Sequence, residues 1–287
     1  MTSQTLPWRH AVLSGFRLVV RRPVAALSWV LVILVSGMAA AGWRIWAVQS
    51  TSPEAGAVAI ALKLSASGLI LDQVTLVVIL AAVLRAQMRP EDRRAAWPRF
   101  AGDELRLLAL TIPFMLLTLI GSGLAISAFG LLLKDPTPVV TRMGLTMRVV
   151  TVVLAVLGAR FALAPPLTIA DRRVRLARSA SLTRGRYLRL ASILFTTLVL
   201  AGLIQEAARH GRDLLADALG VHPPRPGTRY PSVLEAVSVA FGPGALLLTA
   251  FSAMVHALAL AVQTAPLGYA WGRLTADPIA DRAAVFD

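Results

Sequence analysis

Two ionisable residues stand in surroundings that make a charge costly. Arg160 falls inside an apolar stretch at 149–170, and Asp72, followed by Gln73, falls inside another at 65–84. Both stretches have the length of a helix that crosses the hydrocarbon core of a bilayer. Arg160 is predicted about ten residues from the end of its helix, which at ~1.5 Å of rise per residue places it near the midplane. A charge there costs roughly 2.5–3.5 kcal/mol, so it should face the bundle or water and find a partner. Asp72 is the carboxylate at comparable depth, ~6 Å of rise away and within reach of an arginine side chain. Such a pair has two uses. It can lock two helices together, or it can form the site of a small-solute transporter or channel. Snorkelling of Arg160 to a headgroup is the third option.

The other candidates are weaker. Arg172, Arg173, Arg175, Arg178, Arg184, Arg186 and Arg189 crowd one connection between apolar stretches, where they set orientation and can contact anionic lipid headgroups. Glu206, His210 and Asp213 share one face of a predicted amphipathic helix, but without a H-E-x-x-H or similar pattern a solvated face explains them better than a metal site. His256 lies in the last apolar stretch, where helix–helix hydrogen bonding is its expected role. The sequence holds no cysteine, so thiolate ligands, disulfides and a cysteine nucleophile are excluded. It also lacks a nucleophile elbow, a Walker loop, a dinucleotide fingerprint and a zinc signature. No catalytic residue, no metal and no cofactor is expected.

The elements that must position these residues follow from hydropathy. The chain is 56% hydrophobic with a mean hydropathy of +0.69. Six spans are predicted, at about 24–47, 65–84, 107–133, 149–170, 190–205 and 243–270. The first is read as an uncleaved helix and not as a signal peptide, because the preceding segment is long and carries helical apolar spacing at Val12, Phe16 and Val19.

The net charge of +14 would suit a nucleic-acid binder, but its distribution argues against nucleic acid. Of the 29 basic residues, 19 fall before the first span, in the second and fourth connections, and after the last span, against nine on the other side. Positive-inside then places both termini in the cytoplasm, as an even number of spans requires. The two lysines, Lys63 and Lys134, against so many arginines are read as a mark of genome composition. A bacterial inner membrane is the expected location.

Internal echoes organise the spans into pairs. Gly102-Asp-Glu-Leu105-Arg106-Leu107 leads into the third span, and Gly185-Arg-Tyr-Leu188-Arg189-Leu190 leads into the fifth. Pro166-Leu167 and Pro266-Leu267 match near the inner ends of the fourth and sixth. The predicted fold is an all-α membrane bundle, a single domain over 1–287. Its three helical hairpins are each introduced by a short basic amphipathic cytoplasmic segment.

The stretch from Arg160 through Pro165-Pro166 and the basic connection to Ser179, Ser181, Leu182, Thr183, Gly185, Tyr187 and Arg189 resembles a broad bacterial family. Its members are six-helix integral membrane proteins related to the membrane domain of glycerophosphoryl diester phosphodiesterases. Tyr187 stands where that family often has tryptophan. Phe16-Arg17 and Arg22-Pro23 are similar to the family's opening. The resemblance implies six helices and a membrane address, and the family's own role is largely undefined. Some relatives carry a soluble catalytic domain after the membrane part. Here the last span is followed closely by Asp287, and phosphodiesterase activity is not expected.

Two functions follow as expectations. The first is a non-catalytic inner-membrane protein acting through lipids, anionic on the cytoplasmic side, or through a protein partner or a second copy, in envelope or lipid homeostasis. The second is a small-solute transporter or channel built on Arg160 and Asp72.

Overall fold

A computed structural model describes residues 7–50, 56–132, 149, 153, 158–221 and 232–275. Helices account for nearly all of them, and no strand occurs among the described residues. Two short helices, α1 (Trp8–Val12) and α2 (Ser14–Arg21), precede α3 (Pro23–Gln49). Pro23 occupies the start of α3, where its missing N–H costs nothing and its fixed φ suits a helix. Then follow α4 (Gly56–Met88), a 3-10 turn at Arg93–Ala96 and α5 (Gly102–Leu132). A second 3-10 turn at Ala159–Phe161 leads to α6 (Ala164–Asp171) and α7 (Leu176–Thr183). The chain continues with α8 (Tyr187–Ala218), α9 (Val233–Phe241) and α10 (Pro243–Thr275).

Among the described residues, four helical segments are long and apolar enough to cross a membrane: Pro23–Gln49, Ile70–Met88, Tyr187–Ala218 and Pro243–Thr275. Only 22% of the most apolar part of α3 is covered by the rest of the protein. Val24, Leu27, Leu31 and Val35 stand exposed along it. A helix that is apolar on its uncovered face as well as its covered one belongs in lipid.

α10 is the hub, touching α2, α3, α4 and α8. Its inward face is built of small residues, Ala253, Ala257, Ala261, Ala265 and Gly268 among them, which lets neighbouring backbones approach closely. The tightest approach is to α2. A Cβ on Gly15 would lie 2.5 Å from the Val262 Cα and 2.6 Å from the Ala261 carbonyl oxygen. Among the side-chain hydrogen bonds between helices are those from Thr75 to Ser36 (2.6 Å) and from Gln73 to Thr111 (2.7 Å).

Two predicted spans differ in detail. The fourth, 149–170, is described at 149, 153 and 158–170, and its last part is not one continuous helix. The chain passes through the 3-10 turn at Ala159–Phe161 and restarts as α6. Pro165 and Pro166 have no N–H to offer the carbonyls of the preceding turn, which favours a break there, and both sit in the first turn of α6, where the missing N–H costs nothing. The fifth, predicted to end near residue 205, runs on to Ala218 in one helix. The polar segment with Glu206, His210 and Asp213 is therefore the continuation of α8 and not a separate connection.

Candidate functional site

The best-organised polar structure lies in the connection between α4 and α5, at the end of the bundle where the N-terminal segment also sits. Arg85, on the last turn of α4, is 1% exposed, and Glu104, on the first turn of α5, is 0% exposed. Arg85 Nη1 and Glu104 Oε1 form an ion pair. The remaining guanidinium donors reach the carbonyls of Ala95 (3.2 Å) and Trp97 (3.3 Å). The second oxygen of Glu104 accepts from the Ala101 backbone N–H at 3.0 Å. That bond is one half of a capping box, the acid of the first turn reaching back to the N-cap. Each polar group that burial removes from water thus has a partner, the condition under which a buried charge is tolerated.

Two residues from outside the connection complete the tie. Trp29 of α3 donates its indole N–H to the Ala96 carbonyl at 2.8 Å. Arg22, in the break between α2 and α3, donates to the carbonyls of Asp92 (3.0 Å) and Pro90. The loop that these bonds fix presents Arg89, Arg93 and Arg94 as exposed side chains. Sequence reasoning missed the clamp because it treated Arg85 and Arg106 alike as orienting charge. The available signal was an arginine closing an apolar run, with Glu104 three positions into the next helix.

Arg160 and Asp72 are not brought together. No ion pair joins them among the described residues, and both are exposed. The Arg160 carbonyl accepts from Thr183 Oγ1 (2.9 Å) and Ser179 Oγ (3.5 Å), both fully buried residues of α7. Arg160 therefore stands beside the basic connection that follows it and not at the middle of a straight helix. The break at Pro165-Pro166 removes the rise on which the midplane placement depended. Asp72 has an electrostatic neighbour in His256 of α10 instead, while Gln73 makes the inward contact. The motif that carries the family resemblance has a structural use here, since Ser179 and Thr183 cap the 3-10 turn.

The basic connection itself is tightly turned. Arg172 adopts a left-handed conformation (φ 52°) to end α6, and Gly185 does so (φ 77°) between α7 and α8. Arg178 and Arg175 share Asp171, at 2.8 and 3.8 Å. Arg172, Arg173, Arg184 and Arg189 are exposed and have no carboxylate partner among the described residues, while Arg186 is engaged. Glu206 pairs with Arg209 at 2.8 Å. No group of three metal-ligating side chains is gathered among the described residues.

The ends of these segments meet. Ala11 of α1 packs with Leu163, Leu167, Leu190, Ile193, Ala270 and Leu274. Arg22 bonds the loop after α4. The N-terminal segment, the connection after α4, the connection after α6 and the end of α10 thus occupy one end of the bundle, and the span alternation and the charge distribution also put these four on one side. Compared with known proteins, the chain matches no family model, no curated protein and no solved structure.

Proposed function

We propose that this is a non-catalytic integral protein of the bacterial inner membrane, with six spans in three hairpins and both termini cytoplasmic. It acts through anionic lipids, or through a protein partner or second copy, at its arginine-bearing end, in envelope or lipid homeostasis. The observation that carries this reading is the convergence of the basic segments. Arg17, Arg21, Arg89, Arg93, Arg94, Arg172, Arg173, Arg184 and Arg189 are exposed there. None has a carboxylate within ion-pair distance among the described residues. Each such arginine near a negatively charged leaflet contributes about 1 kcal/mol of attraction. The transport reading has less support, since no ion pair joins Arg160 and Asp72 among the described residues. The likeness of 158–190 to the glycerophosphoryl diester phosphodiesterase membrane-domain family supports the six-span count.

The natural absence of cysteine allows a direct test of the topology. Single substitutions Thr137→Cys, Asp217→Cys, Arg94→Cys and Arg173→Cys are treated with a membrane-impermeant maleimide on intact spheroplasts. Labelling of the first two and protection of the last two until lysis is the expected result. Protection of Thr137→Cys with Asp217→Cys still labelled would break the six-span count, and labelling of Arg94→Cys and Arg173→Cys with protection of the other two would reverse the orientation.

A further inference from the structure

The arginine-bearing end contains a concavity of about 790 Å3, within the size range of small-molecule sites. It lies between α2, the start of α3, the end of α4 and the loop after it, with Tyr269 of α10 at its edge. Arg17, Arg21 and Arg93 line it together with His10, and no carboxylate does so among the described residues. Resting on the lipid-directed reading above and deepening it, we propose that this concavity binds the phosphate group of an anionic phospholipid.

Three features separate a built site from charge that merely sets orientation. Orientation needs arginines anywhere in the cytoplasmic connections. Here guanidinium groups from two segments about seventy residues apart in sequence line one hollow. Their approach is enforced by Arg22, whose bonds to the Asp92 and Pro90 carbonyls hold the loop carrying Arg93 against the segment carrying Arg17 and Arg21. Arg22 is thus a positioning residue, both of its terminal nitrogens engaged by backbone carbonyls. Gly15, with no room for a side chain against α10, sets α2 at the depth that forms the opposite wall.

The hollow is also bordered by apolar surface. Leu18, Val24 and Ala25 line it. Val24 begins an exposed row that continues through Leu27 and Leu31 along α3. A ligand with an anionic head and hydrocarbon chains satisfies both parts at once. The head sits among arginines that lack counter-charges, and the chains lie on a helix face that the protein leaves bare. A soluble phosphate compound shares the head chemistry but leaves that row unused.

The test uses the full-length protein in nanodiscs of phosphatidylcholine and phosphatidylglycerol at three to one, with native mass spectrometry counting retained lipid. Wild type is expected to retain phosphatidylglycerol in preference to phosphatidylcholine. Affinity should fall roughly fivefold for each pocket arginine removed and about a hundredfold in R17Q/R21Q/R93Q. R209Q/R212Q, on the polar extension of α8 and in neither the pocket nor the arginine set assigned to lipid, is expected to retain the lipid.

Phosphatidylglycerol kept by the triple variant but lost by R172Q/R173Q would overturn the pocket while leaving the lipid-directed reading standing. No preference for phosphatidylglycerol in wild type would overturn both. Inorganic phosphate, titrated in a second arm, separates the sources. Saturable phosphate binding that R17Q/R21Q/R93Q abolishes, with no retained phosphatidylglycerol, would reject the lipid and assign a soluble phosphate. Thermal unfolding of each variant controls for folding. If the triple variant does not fold, the exposed loop substitution R93Q alone carries the fivefold expectation.

Discussion

Arg85 and Glu104 face each other across the loop between α4 and α5 with almost no solvent access to either, 1% and 0% exposed. Their remaining polar atoms are used on backbone groups of that same loop. The pair therefore closes the loop as a strap and also terminates α4 and starts α5. Glu104→Ala leaves a buried guanidinium without its counter-charge, a change that costs about 3–5 kcal/mol in buried pairs. Thermal unfolding in detergent should show a large fall in stability for this variant. A matched double variant, Arg85→Met with Glu104→Leu, should recover part of the loss, since a well-packed apolar pair avoids the desolvation penalty. Equal losses in the single and double variants would mean that the bonds from Arg85 to the Ala95 and Trp97 carbonyls matter more than the ion pair.

Gly15→Ala tests the seat of α2. The added Cβ would meet backbone atoms at Ala261 and Val262, at 2.5 to 2.8 Å, which cannot move aside like a flexible side chain. The expected result is detachment of the N-terminal segment with the membrane helices intact. Hydrogen exchange over residues 8–22 should rise while exchange in α10 stays low. Gly202→Ala, at a position open on all sides, should change neither.

Much of the fold is legible in the hydropathy profile, and the failures have physical causes. The first, second, fifth and sixth spans fall within α3, α4, α8 and α10, the helices with segments long and apolar enough to cross a membrane among the described residues. An apolar run of bilayer length has few other structures open to it. The end of α8 was misplaced because hydropathy reports where lipid gives way to water. A helix carrying Glu206, Arg209 and Asp213 can continue past that boundary, its backbone bonds unaffected. In the fourth span the helix gives way to a 3-10 turn just ahead of Pro165 and Pro166. Counting depth along a straight helix through them assigned Arg160 a partner that the folded chain places elsewhere. At the candidate site, the arginines were visible individually. The convergence of Arg17, Arg21 and Arg93 was not, because it depends on Arg22 bonding carbonyls, and backbone acceptors leave no trace in side-chain identity.

Thr183→Val removes the hydroxyl that caps the Arg160 carbonyl while keeping the side-chain volume. A buried carbonyl left without its donor costs about 1–3 kcal/mol. Ser179, at 3.5 Å, is the weaker of the two donors, so Ser179→Ala should cost less. Proteolysis within 158–186 should be faster in Thr183→Val than in wild type, with Ser179→Ala between them. If Ser179→Ala proves the more damaging, its buried position and not its hydrogen bond is what the motif preserves.

Arg22→Gln and Arg21→Gln remove the same charge from adjacent positions, yet they should behave differently. Arg22 donates to the Asp92 and Pro90 carbonyls. Arg21 is exposed, with no bond to the rest of the protein among the described residues. If the loop after α4 is held by those bonds, Arg22→Gln should raise amide exchange over residues 89–94, a local loosening of about 1–2 kcal/mol for charge-assisted bonds at an exposed site. Arg21→Gln should leave that exchange unchanged. Both variants reduce the positive field at this end of the bundle equally, so a general electrostatic effect would move the two together. A shift confined to Arg22→Gln shows that geometry, and not the sum of charges, brings Arg93 to the α2 segment.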